Sequence, residues 1–238
     1  MKRKVLSILS ILSLVAAFSA GSSFAKTNNI QERNLEGYNI VQKNQEVTDL
    51  NTLYELAKKN SKAKSKHTLV DPKTGEQLAV EEFVTSQTLQ IAKNDKGEQI
   101  ETVAVTKLVV LADTSKTDSD WDSTLGVKAT STIYLDKVKD PRGALHYKLI
   151  SVNGNWKKDD STYSLTNRVV EYGAAGWSYF GNTFGQNETK KPTSDTFNYT
   201  APSSWYPSTT DNGAVGVTMT VKLSKGGSSW NFEFVNNM

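Results

Sequence analysis

Three groups of side chains in this 238-residue chain have the types and spacing for recognition or chemistry. The first is aromatic: Trp177, Tyr179 and Phe180 crowd one stretch, and Trp205-Tyr206 sits between Pro202 and Pro207. Tryptophan and tyrosine rings on loops stack against sugar rings or anchor in a partner's pocket, so these five are the favoured binding residues. The competing reading is that the rings plug the open end of a β-fold beneath long loops. The second group is cationic: Lys58, Lys59, Lys62, Lys64 and Lys66 offer electrostatic contact to an anionic envelope polymer or lipid head group, or else form a solvated linker. The third is Asp118, Asp120 and Asp122, alternating carboxylates suited to calcium. That loop departs from the EF-hand pattern at Ser123, where a turn glycine belongs, and at Ala129, where a bidentate carboxylate belongs, so it reads better as a solvated loop.

Other chemistries have little to stand on. Cysteine is absent, which excludes disulfides, thiolate metal sites and a thiol nucleophile. His67 and His146 are the only histidines, too few for a histidine metal centre without carboxylate help, and no Gly-x-Ser-x-Gly motif marks a serine nucleophile. Glu81-Glu82 and Asp159-Asp160 are adjacent carboxylates, but neighbours in a strand point to opposite faces and do not converge on one substrate. No metal and no cofactor is implied.

The chain opens with Lys2-Arg3-Lys4, an apolar run from Val5 to Phe18, and small residues at Ser23 and Ala25. This reads as a signal peptide (1–25) cleaved after Ala25, its apolar core being shorter than the roughly 20 residues that span a bilayer. The leader holds three of the 28 basic residues and none of the 25 acidic ones, so the exported product is formally neutral, 25 against 25. A general nucleic-acid-binding role loses its support, and no second apolar run of membrane-spanning length follows the leader. A cysteine-free exported chain suits a bacterium, and the expected location is secreted or extracellular.

Residues 26–67 form a polar segment containing one amphipathic helix, 48–59, with Thr48 as its N-cap and Leu50, Leu53, Tyr54 and Ala57 on its apolar face. The β-rich domain, 68–238, begins near Thr68. Pro72-Lys73-Thr74-Gly75 turns into a strand, and Gly97 in a left-handed loop position places Leu89 opposite Val103 and Phe83 opposite Val109. Asp140-Pro141-Arg142-Gly143 is a turn, and Asn153-Gly154 reads as a two-residue hairpin, with Trp156 facing Ser151 or Val152. Gly173 to Asp195 reads as the longest irregular stretch. At the C-terminus Val215, Val217, Met219, Val221 and Leu223 alternate with small or polar residues; Gly226-Gly227 follows, and Trp230, Phe232 and Phe234 resume the alternation. A tight turn at the glycines pairs Leu223 with Trp230, Val221 with Phe232 and Met219 with Phe234. The expected fold is all-β: an antiparallel β-sandwich or open barrel of about 8–10 strands after a short N-terminal helix.

Thr132-Ile-Tyr134, Tyr147-Lys-Leu149, Gly154-Asn-Trp156, Tyr172-Gly173 and the run Val221 to Trp230 resemble small, uncharacterised secreted β-rich proteins of Gram-positive bacteria over about 123–238. The resemblance implies neither activity nor catalytic residues. The functional expectation is a secreted, non-enzymatic binding protein of the extracellular or cell-wall space, whose partner is a cell-wall glycan or another extracellular protein. One alternative is a secreted wall- or glycan-directed hydrolase. Another is a pore-forming, membrane-active protein, disfavoured because Lys107 shares a strand face with Val103, Val105, Val109 and Leu111.

Overall fold

The computed structural model describes residues 35–59, 64–113 and 126–238. The leader, Lys62 and the loop bearing Asp118, Asp120 and Asp122 lie outside the described residues. Among the described residues one helix, α1 (Leu50–Lys59), accompanies eleven strands. These are β1 (Asn39–Lys43), β2 (Lys64–Val70), β3 (Gln77–Lys93), β4 (Gln99–Asp113), β5 (Val127–Lys139) and β6 (Leu145–Lys158), then β7 (Ser164–Trp177), β8 (Thr183–Lys190), β9 (Thr196–Thr200), β10 (Ala214–Lys225) and β11 (Ser228–Asn237). The fold is all-β: a curled seven-stranded antiparallel sheet, half a barrel, faces a four-stranded sheet ordered β11-β10-β7-β8.

The terminal hairpin has the register its alternation dictates. Leu223 pairs with Trp230, Val221 with Phe232 and Met219 with Phe234, around Gly226 and Gly227, whose φ values are +58° and +91°. Only this register puts every large apolar side chain on the buried face, since a slip of one residue would expose them all. The alternation also runs one step further than the aromatic series. Asn236 takes the next inward position, and its Nδ2 donates to the carbonyls of Val105 and Ser131 in the opposite sheet, both at 3.0 Å.

In the large sheet, β3 to β6 form a meander, and β9 completes one edge. The other edge of β3 is shared: β1 pairs with its C-terminal part and β2 with its N-terminal part. Residues 39–43 and 64–70 are therefore built into the sheet, and β2 starts at Lys64. Between β1 and β2, α1 lies on the sheet's outer face, with Leu53, Tyr54 and Ala57 packed on Phe83, Leu108 and Val110. Its N-cap is Asp49, one residue beyond the expected Thr48: Asp49 Oδ1 accepts from the Thr52 amide at 2.8 Å and the Thr52 hydroxyl at 2.7 Å. Asp49→Ala is expected to lower stability by about 1 kcal/mol, measurable as a shift of the urea midpoint.

The β3–β4 register also differs from expectation. Gly97 does take a left-handed conformation (φ +79°), and the pairing holds from Lys93↔Gln99 to Gln90↔Thr102. A bulge at Leu89 then shifts it, so Thr88 faces Val103 and Phe83 faces Leu108. The extra residue turns Phe83 to the helix side of the sheet, where α1 needs an apolar seat.

Asn153-Gly154 is not a hairpin. Both residues lie inside β6, which pairs with β5 on one side and β9 on the other, and Trp156 faces Ala129. Gly154 is there because the Phe197 ring lies directly over it: a Cβ would stand 2.7 Å from a ring carbon and 2.5 Å from the Thr130 carbonyl. The expected irregular stretch after Gly173 is likewise strand, as β7 continues to Trp177 and β8 runs back antiparallel to it.

Polar ties fasten the two sheets around the apolar core. Ser208 bridges them at one end, exchanging backbone bonds with Tyr147 at 2.8 and 2.9 Å while its hydroxyl donates to Ala175 O. At the other end Asp71 Oδ2 accepts from the Ser229 amide, and the Trp230 indole donates to Glu76 O. Lys107 does face the interior, where it binds Val235 O at 2.8 Å and pairs with Glu82 at 3.0 Å. Among the described residues, no helix is long and apolar enough to cross a membrane.

Candidate functional site

The five aromatic candidates separate into three environments. Tyr179, Phe180 and Tyr206 meet at the turn joining β7 to β8, with ring centroids 5.6 Å (Tyr179–Phe180) and 5.4 Å (Phe180–Tyr206) apart. Phe180 is 71% exposed and Tyr206 52% exposed. Two bonds between the Gln186 side chain and the Tyr206 backbone, at 2.8 and 3.0 Å, hold this patch against β8. Trp205 turns the other way and packs on the core 5.8 Å from Tyr172. It extends an aromatic series in which Tyr172 stacks on Tyr199, Tyr199 on Phe197, and Phe197 leans on Trp156, and so it plugs the sandwich.

Trp177 belongs to neither group. Along β7 the residues Tyr172 and Ala174 are buried, so the intervening positions Glu171, Gly173, Ala175 and Trp177 line the sheet's outer face. Trp177 is 46% exposed there, about 7 Å beyond Ala175 along the strand.

That outer face is not flat. Its floor is made of the smallest side chains in three neighbouring strands: Gly173 pairs with Gly216, and Ala175 with both Ala214 and Gly185. Large side chains at these positions would fill the surface; small ones leave a trough of about 400 Å³, in the range of small-ligand sites. Asn187 stands beside Gly173 on one bank and Asn237 beside Gly216 on the other. The next row along is Val235, Thr218 and Glu171. The backbone of the adjacent strands crowds the two floor glycines. A Cβ on Gly173 would come within 2.2 Å of Gln186 O, and one on Gly216 within 2.2 Å of Asn236 O. Gly185, in contrast, has nothing within 4 Å of such a Cβ.

The electrostatics of the walls are uneven. Glu188 on β8 accepts from Tyr172 and pairs with Lys190, and the Lys190 bond first, then Tyr172, holds its carboxyl below the usual range. Burial pushes the Tyr172 phenol up, and the Glu188 bond adds to it. Among the described residues Glu171 is the only charged one lining the trough, and its Oε1 accepts from Asn187 Nδ2 at 2.8 Å. Chemically the site offers a flat floor, carboxamides and a hydroxyl for hydrogen bonding, one carboxylate, and an indole on the same face.

The other candidates do not assemble. Lys58 and Lys59 end α1, where Lys58 Nζ lies 5.3 Å from the Tyr54 ring centre. Lys64 and Lys66 belong to β2, and Lys66 pairs with Glu81. The four of these lysines that lie among the described residues thus divide between a helix end and a strand. His67 in β2 and His146 in β6 have three strands between them; His146 is buried, its Nδ1 3.1 Å from Ala144 O. Glu81 and Glu82 turn to opposite faces, one to Lys66 and the other to Lys107. Asp159 pairs with Lys128 and Lys157, and Asp160 with Lys225.

Gly173, Ala175, Gly185, Asn187, Ala214, Gly216, Asn237 and Glu171 were not singled out from sequence as a site. Their signal is small residues at every second position, Gly173-x-Ala175 and Ala214-x-Gly216, inside strands where bulkier β-formers would ordinarily stand. No protein-family model, no curated protein and no solved structure matches the chain.

Proposed function

We propose that this protein is a secreted, non-enzymatic glycan-binding protein of the extracellular or cell-wall space, and that it holds its ligand in the trough on the outer face of the four-stranded sheet. The observation that carries the reading is the placement of Trp177 on the same face as the glycine and alanine floor. A sugar ring has one flat, apolar side and a girdle of hydroxyls. The indole stacks against the first, while the side chains of Asn187, Asn237 and Thr218 bond to the second. A floor without side chains lets the rings lie close to the sheet.

Co-sedimentation with isolated Gram-positive cell walls tests the reading, using three variants that leave the core alone. Trp177→Ala removes the stacking ring, Gly185→Leu fills the trough from a position with free space around it, and Phe180→Ala removes the most exposed ring of the separate patch. Trp177→Ala and Gly185→Leu are each expected to weaken binding about tenfold, the size of one good aromatic contact, with Phe180→Ala near wild type. Loss in Phe180→Ala alone would move the contact to the Tyr179–Phe180–Tyr206 patch. The hydrolase alternative predicts new reducing ends in the sedimented glycan. The pore-forming alternative predicts dye release from liposomes, against which stands Lys107, tied inside the sandwich.

A further inference from the structure

We infer that Glu171 makes the trough selective for glycans that carry free amines over their N-acetylated counterparts. This rests on the reading of the trough as a glycan site and adds its charge preference. Among the described residues Glu171 is the only charged one in the lining, and no cation pairs with it. The contrast with Glu188 is instructive, because that carboxylate, one strand away, is already held by Lys190 and Tyr172. Asn187 donates to one oxygen of Glu171 and thereby holds the group beside the row Thr218–Val235, at one end of the Gly173–Gly216 floor. A ligand lying on the floor therefore meets one net negative charge.

An anionic chain is repelled there, a neutral chain gains a hydrogen-bond acceptor, and an ammonium gains a charge-assisted bond. The chemistry favours a sugar over a basic peptide because Asn187, Asn237 and Thr218 supply neutral hydrogen-bonding groups where a lysine-rich chain would use further carboxylates.

The test uses purified protein at low salt and about pH 5.5, where the sugar amines are protonated. Affinities are measured for a fully deacetylated glucosamine hexasaccharide, its N-acetylated equivalent and pentalysine, with wild type and Glu171→Gln. The substitution keeps the oxygen that accepts from Asn187 and removes only the charge, and the exposed position leaves folding intact. Wild type is expected to bind the amine-bearing sugar about fivefold tighter than the acetylated one, and Glu171→Gln to bind both alike. Equal wild-type affinities, or a preference that survives in Glu171→Gln, would overturn the charge assignment while leaving the glycan reading in place. Binding of neither sugar would overturn both. Binding of pentalysine alone, lost in Glu171→Gln, would replace the sugar with a basic peptide.

Discussion

Gly216→Ala is expected to lower the unfolding free energy by about 3 kcal/mol, whereas Gly185→Ala in the same trough is expected to leave it unchanged or raise it by about 0.5 kcal/mol. The two substitutions add the same methyl group and differ only in what it meets. At Gly216 the new Cβ would lie 2.2 Å from Asn236 O and 2.6 Å from Asn237 Cα. Relief requires β11 to move outward, and its neighbours oppose that. Asn236 is fastened to Val105 and Ser131 of the other sheet, and Met238 exchanges two backbone bonds with Val215. At Gly185 the methyl meets open space, and the strand gains the entropy advantage of alanine over glycine. Urea unfolding of the pair measures the difference. Equal midpoints would mean that the banks of the trough are not fixed where the geometry puts them.

The second large effect is in the core. Phe234→Ala is expected to reduce stability by about 4 kcal/mol, about 12 °C in Tm for a domain of this size. Phe234 is fully buried, stacks on Phe232 with centroids 6.2 Å apart and faces Met219 across the hairpin. Lys107 Nζ lies 5.4 Å from its ring centre, so truncation leaves a cavity next to a half-buried, ion-paired ammonium as well as removing apolar area. Phe180→Ala removes a ring of equal size from an exposed turn and is expected to stay within about 0.5 kcal/mol of wild type. Calorimetry on both variants separates burial from ring size.

The hairpin containing Phe234 was the most legible part of the sequence, because two alternating runs and a Gly-Gly pair each demand the same register. Where only one signal existed, the reading slipped. Gly97 correctly fixed the turn end of β3 and β4, but the bulge at Leu89 depends on the seat that α1 takes on Phe83, a contact between residues distant in sequence. Asn153-Gly154 has turn chemistry, yet its glycine answers to Phe197, more than forty residues later. The same confusion hid the trough. Glycines between 173 and 185 look like loop residues in one dimension, and only pairing with Gly216 and Ala214 reveals that small side chains meet across three strands. The aromatic candidates were read as one group, and their division was hidden: alternation places Trp177 on the outer face, while the Pro202 to Pro207 segment turns Trp205 inward and Tyr206 outward. Lys107 was read only as sharing a strand face with Val103, Val105, Val109 and Leu111, and its partners, Glu82 and the carbonyl of Val235, came from the packing of the two sheets.

The placement of a glycan on the outer face is tested most directly by amide chemical-shift mapping during titration with soluble cell-wall glycan fragments. The largest changes are expected at Gly173, Gly185, Asn187, Gly216 and the Trp177 indole, with little change at Phe180 and Tyr206. Changes confined to Tyr179, Phe180 and Tyr206, or none anywhere on the four-stranded sheet, would contradict it.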